Sequence, residues 1–278
     1  MACVAGTRPA SGSEGLAKLT GKLVQILLCN DDGIQAAGLC ALYPELTRLG
    51  TVQIVAPASE QSGVALSITY RHPVMVHEET RDGRPWGWAV HGSPADCVKL
   101  GVLEFCKERP TLIVSGINSG ANVGINVLYS GTVAAAIEGA FFGITSIAVS
   151  QQYDERAPDY AATAGRAVRV IEQLLSHNPR PGTLWNLNFP VQKPGWPRGL
   201  KVVPMGVKRD LELMEKRISP RGRPYFWSDS EPLARGEMQP ETDTLELSEG
   251  FATLTPLHID MTHRQLMDRF AGFEWSVE

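Results

Sequence analysis

Short unbroken apolar runs alternate with longer segments of helical period along the first two-thirds of the chain. Val24–Cys29, Val52–Pro57, Thr111–Ser115 and Ser146–Ser150 are compact, largely apolar and bounded by polar or glycine-rich sequence, which predicts strands buried on both faces. Between them, Ile34–Leu49 places Leu39, Leu42, Tyr43, Leu46 and Leu49 at helical spacing, with Gly50 positioned to end the helix. Ser93–Phe105 reads as a helix with Ser93 as N-cap and Pro94 in its first turn. An alanine-rich helix opens at Ser130–Thr132 and runs to Phe142, and another covers Asp159–Leu175. Strand, helix and strand over residues 24–57 make a βαβ unit and hence a parallel pair.

Residues 67–91 break this rhythm and read as extended strands interrupted by Glu78–Gly83, a hairpin excursion. The final third changes again. Pro and Gly cluster at 179–182, 190–199 and 219–224, and charges crowd Lys208–Arg217. Short strands are expected at 184–189, 200–205, 224–228 and 251–257, completing the sheet. The predicted organisation is an α/β fold with a mainly parallel sheet. Residues 1–22 form a flexible N-terminal extension and 23–206 the catalytic core. Residues 207–228 form an extended arm or β-hairpin, and 229–278 complete the core and an interface.

Composition narrows the class. A chain of 278 residues with 43% hydrophobic content supports one large domain, or one domain with an appendage. A net charge of -4 offers no bulk attraction for a nucleic-acid duplex. The longest apolar stretches fall short of the roughly 18–20 residues that span a bilayer. Residues 1–21 lack a continuous apolar stretch of secretory type, and the scattered cysteines (Cys3, Cys29, Cys40, Cys97, Cys106) include no C-x-x-C, which suits reduced thiols in a cytoplasmic protein.

The candidate chemistry lies where strands end. Asn30-Asp31-Asp32-Gly33 follows the first apolar run. Two adjacent carboxylates face one crevice only if the strand is already turning, and Gly33 supplies that turn. Carboxylates this close repel unless a cation sits between them, and in open α/β sheets ligands bind beyond the carboxyl ends of strands. Ser62, in Glu60-Gln61-Ser62-Gly63 after the second strand, faces the same end. Asn118 lies just past the third strand and offers an amide carbonyl suited to a hard cation. Ser130-Gly131-Thr132 opens a helix whose free N–H groups and hydroxyls suit an anion, with Asn122 in the loop before it. The chain has no Walker A loop and no G-x-S-x-G elbow, and His72, His77 and His91 lack zinc spacing.

The ordered set N-D-D-G, E-Q-S-G, G-S-P-A-D-C-V, V-S-G-I-N-S-G-A-N and Y-S-G-T-V-A-A-A-I-E-G resembles the survival protein SurE family. The likeness extends through Arg217–Gly222 and Thr255–His258. It implies a Rossmann-like three-layer α/β/α core and a divalent metal, Mg²⁺ or Mn²⁺, one per subunit, held by Asp31, Asp32, Ser62 and Asn118. The implied activity is metal-dependent hydrolysis of nucleoside 5′-monophosphates, extending to 3′-monophosphates and short polyphosphate in some members. Asp31 and Asp32 would be the catalytic acids, with Asn118, Asn122, Ser130, Gly131 and Thr132 toward the phosphate. The resemblance also implies an exchanged arm that builds a homodimer or homotetramer. Leu66 departs from the His or Asn that many relatives carry there. The residues alone leave open a non-catalytic nucleotide-binding module or another metal-dependent hydrolase.

Overall fold

A computed structural model describes residues 24–177, 179–208, 211–231 and 233–277, so the N-terminal extension expected over 1–22 lies outside the described residues. Four parallel strands form the centre. They are β1 (Val24–Cys29), β2 (Gly50–Pro57), β5 (Leu112–Ser119) and β6 (Thr145–Gln151). Their apolar residues contribute largely to the fully buried set, including Leu27, Leu28, Ile54, Ile113, Val114 and Ile147. The mainly parallel nine-stranded sheet adds β3 (Met75–Arg81), β4 (Arg84–His91), β7 (Leu184–Phe189), β8 (Leu200–Val202) and β11 (Ala252–Leu257), in the order β3-β4-β2-β1-β5-β6-β7-β11-β8. β11 therefore returns from the C-terminal segment and inserts between β7 and β8, antiparallel to the first and parallel to the second.

Helices cover both faces. α1 (Ala37–Leu46) and α4 (Tyr160–Ser176) pack with one apolar cluster, which holds Leu39, Leu42, Leu46, Ala164, Val168 and Ile171. α2 (Pro94–Leu100) packs with α3 (Gly131–Phe141) on the opposite side. Ser93 caps α2 as expected, and its box is completed by Asp96: the Asp96 N–H donates to Ser93 Oγ at 3.1 Å and the Ser93 N–H to Asp96 Oδ2 at 2.9 Å. The helix expected through Phe105 continues past Leu100 as a π-helical turn over Gly101–Phe105, where a Cβ on Gly101 would lie 2.7 Å from Leu27 Cδ2.

Three expectations change. Gly50 does not end α1, which stops at Thr47. It opens β2 opposite Val24, where an added Cβ would stand 1.9 Å from the Val24 carbonyl oxygen, so close strand approach is what demands glycine there. Glu78–Arg81 belong to β3, and the turn is confined to Asp82-Gly83, both at positive φ. The strand expected at 224–228 does not complete the main sheet: it lies in the arm's own β-hairpin, where β9 (Leu211–Ile218) runs antiparallel to β10 (Pro224–Glu231) in a separate two-stranded sheet. β9 was hidden in the charged stretch. Two short helices, α5 (Asp243–Ser248) and α6 (Arg264–Phe270), complete the described chain.

Candidate active site

The site is assembled where β1, β2 and β5 end. Asn30 is fully buried and its amide Nδ2 donates to the Gly33 carbonyl at 2.8 Å, closing the turn that Gly33 allows at φ 103°. The Ile34 N–H then donates to the Pro57 carbonyl at 2.8 Å, and the Gln61 N–H to the Asp31 carbonyl at 2.7 Å. These bonds lock the loop after β1 to the loop after β2.

Asp31 is 4% exposed. Burial raises its carboxyl to about 6; the Thr132 hydroxyl and backbone N–H pull it down, and the neighbouring Asp32 charge pushes it up. Thr132 is the first-turn residue of α3, so the helix terminus is directed at this carboxylate. Gly131 permits that approach, since a Cβ there would lie 2.9 Å from Asp31 Cβ and 3.0 Å from its Oδ2. Burial also raises Asp32, helped by the charge of Glu60 and opposed by the Ser119 N–H, which donates to Oδ2 at 3.1 Å. No ion pair among the described residues neutralises either acid.

The other expected residues gather less tightly. The Asn118 amide Nδ2 donates to the Gly120 carbonyl at 2.9 Å, which turns its Oδ1 the other way. Ser62 is exposed, and its hydroxyl donates to Glu60 Oε1 at 2.7 Å. Ser130 Oγ caps α3 by accepting the Val133 N–H at 3.1 Å. Asn122 is buried and works as a keystone. Its Nδ2 donates to Ser150 Oγ at 3.0 Å and its N–H to Asn188 Oδ1 at 2.8 Å, while its carbonyl accepts Asn186 Nδ2 at 2.7 Å. Three residues not singled out from sequence also belong here. Glu60 stands beside Asp32, Ser119 bonds it, and Tyr160 at the start of α4 stands beside Ser119 and within reach of the Asp32 charge. Glu60 and Ser119 sit inside the motifs; Tyr160 carries no local signal.

Among the described residues no group of three or more His, Cys, Asp or Glu is arranged to hold a metal. The donor set still fits a hard divalent cation. Two adjacent acids with their charge uncompensated need only neutral oxygens, from an amide, a hydroxyl and water, to complete an octahedron. A cavity of about 720 Å³ lies elsewhere, among Arg198, Lys201, Arg235 and Phe251, and none of the site residues lines it.

The family model described as Survival protein SurE matches residues 26–212. The chain belongs to the survival protein SurE family. A SurE relative from Rhodopirellula baltica, named 5′-nucleotidase SurE, is 48% identical over 260 residues, covering 91% of this chain and 99% of its own. Another of that name, from Pelotomaculum thermopropionicum, is 42% identical over 88% of this chain and 93% of its own. Among solved structures, the SurE protein from Aquifex aeolicus superposes with a TM-score of 0.76 at 34% identity, over 88% of this chain and 97% of that one. The mixed α/β architecture with its large, mostly parallel sheet is thus the SurE architecture.

Proposed function

We propose that this chain is a 5′-nucleotidase: it hydrolyses nucleoside 5′-monophosphates to nucleoside and phosphate. The carrying observation is the Asp31–Asp32 pair, which is largely buried, raised in pKa and without a cationic partner among the described residues. The fit to the relatives named 5′-nucleotidase SurE, over nearly the whole chain, supports the same reading. Asp31, Asp32, Asn118 and Ser62 would hold one Mg²⁺ or Mn²⁺ per subunit, with Ser62 turning from Glu60 to do so. When bound, such an ion neutralises phosphate charge and lowers the pKa of a coordinated water.

The chain's own groups then have distinct tasks. Thr132 keeps Asp31 ionised in a buried setting, because its N–H and O–H favour the charged form. Ser119 fixes one oxygen of Asp32 and leaves the other to orient water or accept its proton. The Ser130 hydroxyl, whose oxygen caps the helix, still has its O–H to donate to a phosphate oxygen, and the Gly131 N–H points from the same helix end. Asn122 supports the loop from below.

The test is phosphate release from 5′-AMP, 3′-AMP and short polyphosphate, with Mn²⁺ and with EDTA. Release from 5′-AMP that EDTA abolishes is expected. Tight AMP binding with no phosphate released at saturating Mn²⁺ or Mg²⁺ would instead mark a nucleotide-binding module.

A further inference from the structure

Of the buried carboxylates away from the Asp31–Asp32 pair, one is fully buried, and the chemistry above makes no use of it. Asp243, at the start of α5, is 0% exposed. Its Oδ2 accepts the Gly124 N–H at 3.0 Å, and its Oδ1 accepts the N–H groups of Gly206 and Thr244, each at 2.8 Å. Its own N–H donates to the Pro204 carbonyl at 2.9 Å. One side chain therefore joins the loop after β5, the segment that leads into the β9–β10 hairpin, and its own helix. Burial raises its carboxyl and these backbone donors lower it again, so they take the place of an ion-pair partner.

Both bridged segments are built to come this close. Gly124 sits at φ 58°, and a Cβ on it would lie 2.8 Å from Thr244 Cγ2. A Cβ on Gly206 would lie 2.7 Å from Thr244 Oγ1. An apolar residue at 243 would fill the space without the cost of burying a charge. It could not hold N–H groups from separate segments in one place.

What Gly124 leads to gives the contact its meaning. Gly124–Leu128 is a 3₁₀ turn that runs directly into Tyr129, Ser130 and Thr132. The Tyr129 carbonyl accepts the Ala65 N–H at 3.0 Å, which ties in the loop carrying Ser62, and Thr132 bonds Asp31. The other end of the loop is anchored to the sheet, through the Gly120 N–H to the Gln151 carbonyl at 2.9 Å and through Asn122. Asp243 anchors the end next to the helix that meets Asp31.

We propose that Asp243 is a positioning residue: it holds the Gly124 end of the site loop in register and couples it to the root of the β9–β10 hairpin. This rests on the phosphatase reading for its consequence, though not for the tether itself. In Asp243→Asn the amide oxygen keeps the position that accepts two N–H groups, from Gly206 and Thr244, so the NH₂ faces the Gly124 N–H and the Gly124 end is the one released. The control is Glu246→Gln on the same helix, which breaks the 2.6 Å ion pair to Lys201 and touches neither loop.

Hydrogen–deuterium exchange on the metal-free proteins reads the tether directly. Amides over 119–130 should exchange at least ~10-fold faster in Asp243→Asn than in Glu246→Gln or wild type. With Mn²⁺ and AMP, kcat should fall ~10-fold or more, with KM within a few-fold and the control at wild-type kcat. If Asp243→Asn fails to fold, Gly124→Ala strains the same end while keeping the Asp243 carboxylate, because its Cβ would lie 2.8 Å from Thr244 Cγ2 at a φ that alanine avoids. It should show the same two changes. Unchanged exchange over 119–130, or a kcat loss equal in the control, would overturn the tether. A wild-type protein that hydrolyses no nucleotide would sink the phosphatase reading and leave the exchange result to decide this one.

Discussion

The crevice around Asp31 and the β9–β10 hairpin put similar residue types to opposite use. In the crevice, Asn30, Asp31 and Asn122 are buried, Asp32 is half-buried, and each is held by a neighbour. Asn30 is fastened to Gly33, Asp31 to Thr132, Asp32 to Ser119 and Asn122 to Ser150. In the hairpin, apolar side chains are in solvent. Met214 is 70% exposed, Trp227 60%, Ile218 59% and Phe226 57%. The first arrangement costs stability and is held by surrounding structure, as expected of a site that does chemistry. The second has two strands and no core, which is marginal for an isolated hairpin. Apolar surface on so thin an element makes sense when another surface covers it.

The largest expected effect breaks the crevice side. Asp31→Asn and Asp32→Asn should each lower kcat/KM by ~10³-fold or more, about 4 kcal/mol of transition-state stabilisation, with the fold retained. Steady-state kinetics at saturating Mn²⁺ decides it, and near-normal turnover in both variants would remove the acids from the chemistry.

The same substitution tests whether the crevice stores strain. The Asp31 carboxyl is raised from 3.8 to about 6, so between those values the folded protein binds more proton than the unfolded chain. Stability from this group is fully present below about 4 and is lost as pH rises through about 6. In chelator, Asp31→Asn should therefore be more stable than wild type at pH 8, by up to about 3 kcal/mol, and the gap should close toward pH 4. Thermal melts across that range would show it. A gap that stays constant with pH would place the cause elsewhere.

The hairpin side is tested by assembly. If exposed Phe226 and Trp227 meet another copy of this chain, wild type is at least a dimer by light scattering at micromolar concentration. Phe226→Ser with Trp227→Ser should then weaken association by ~30-fold or more, since a buried aromatic anchor is worth about 2 kcal/mol. A wild-type monomer at that concentration would refute the assembly role, and with it the contrast drawn here.

How much of this could be read from sequence follows the same division. The buried strands were legible as short, largely apolar runs: Val24–Cys29 is β1, and the expected 184–189 is β7 to the residue although Asn186 and Asn188 interrupt one of its faces. The bounds of β9 were not, because Leu211-Glu212-Leu213 alternates but Met214 and then Glu215-Lys216-Arg217 break the period. Gly50 was misjudged because a glycine after a helical run looks the same whether it caps a helix or admits a neighbouring strand. Asp31 and Asp32 were legible as a pair of unlikely acids. That Thr132 would serve Asp31, and Asp243 would reach Gly124, depends on segments far apart in sequence, and no local pattern records it.

The smallest expected effect separates helix capping from anion binding at Ser130. Its Oγ accepts the Val133 N–H, so Ser130→Ala loses a cap worth about 1 kcal/mol, whereas Ser130→Gly loses only a few tenths. If the hydroxyl also donates to phosphate, both variants should bind vanadate about fivefold more weakly, the equivalent of about 1 kcal/mol for one hydrogen bond. Only the alanine variant should melt appreciably lower. Calorimetric titration and thermal melts distinguish the two contributions. If vanadate affinity follows stability, falling in Ser130→Ala and not in Ser130→Gly, the serine acts on the helix alone and the phosphate oxygens are held from elsewhere in the crevice. Neither variant should alter the light-scattering mass, because Ser130 is buried at the crevice and the aromatic side chains of the hairpin belong to a separate sheet.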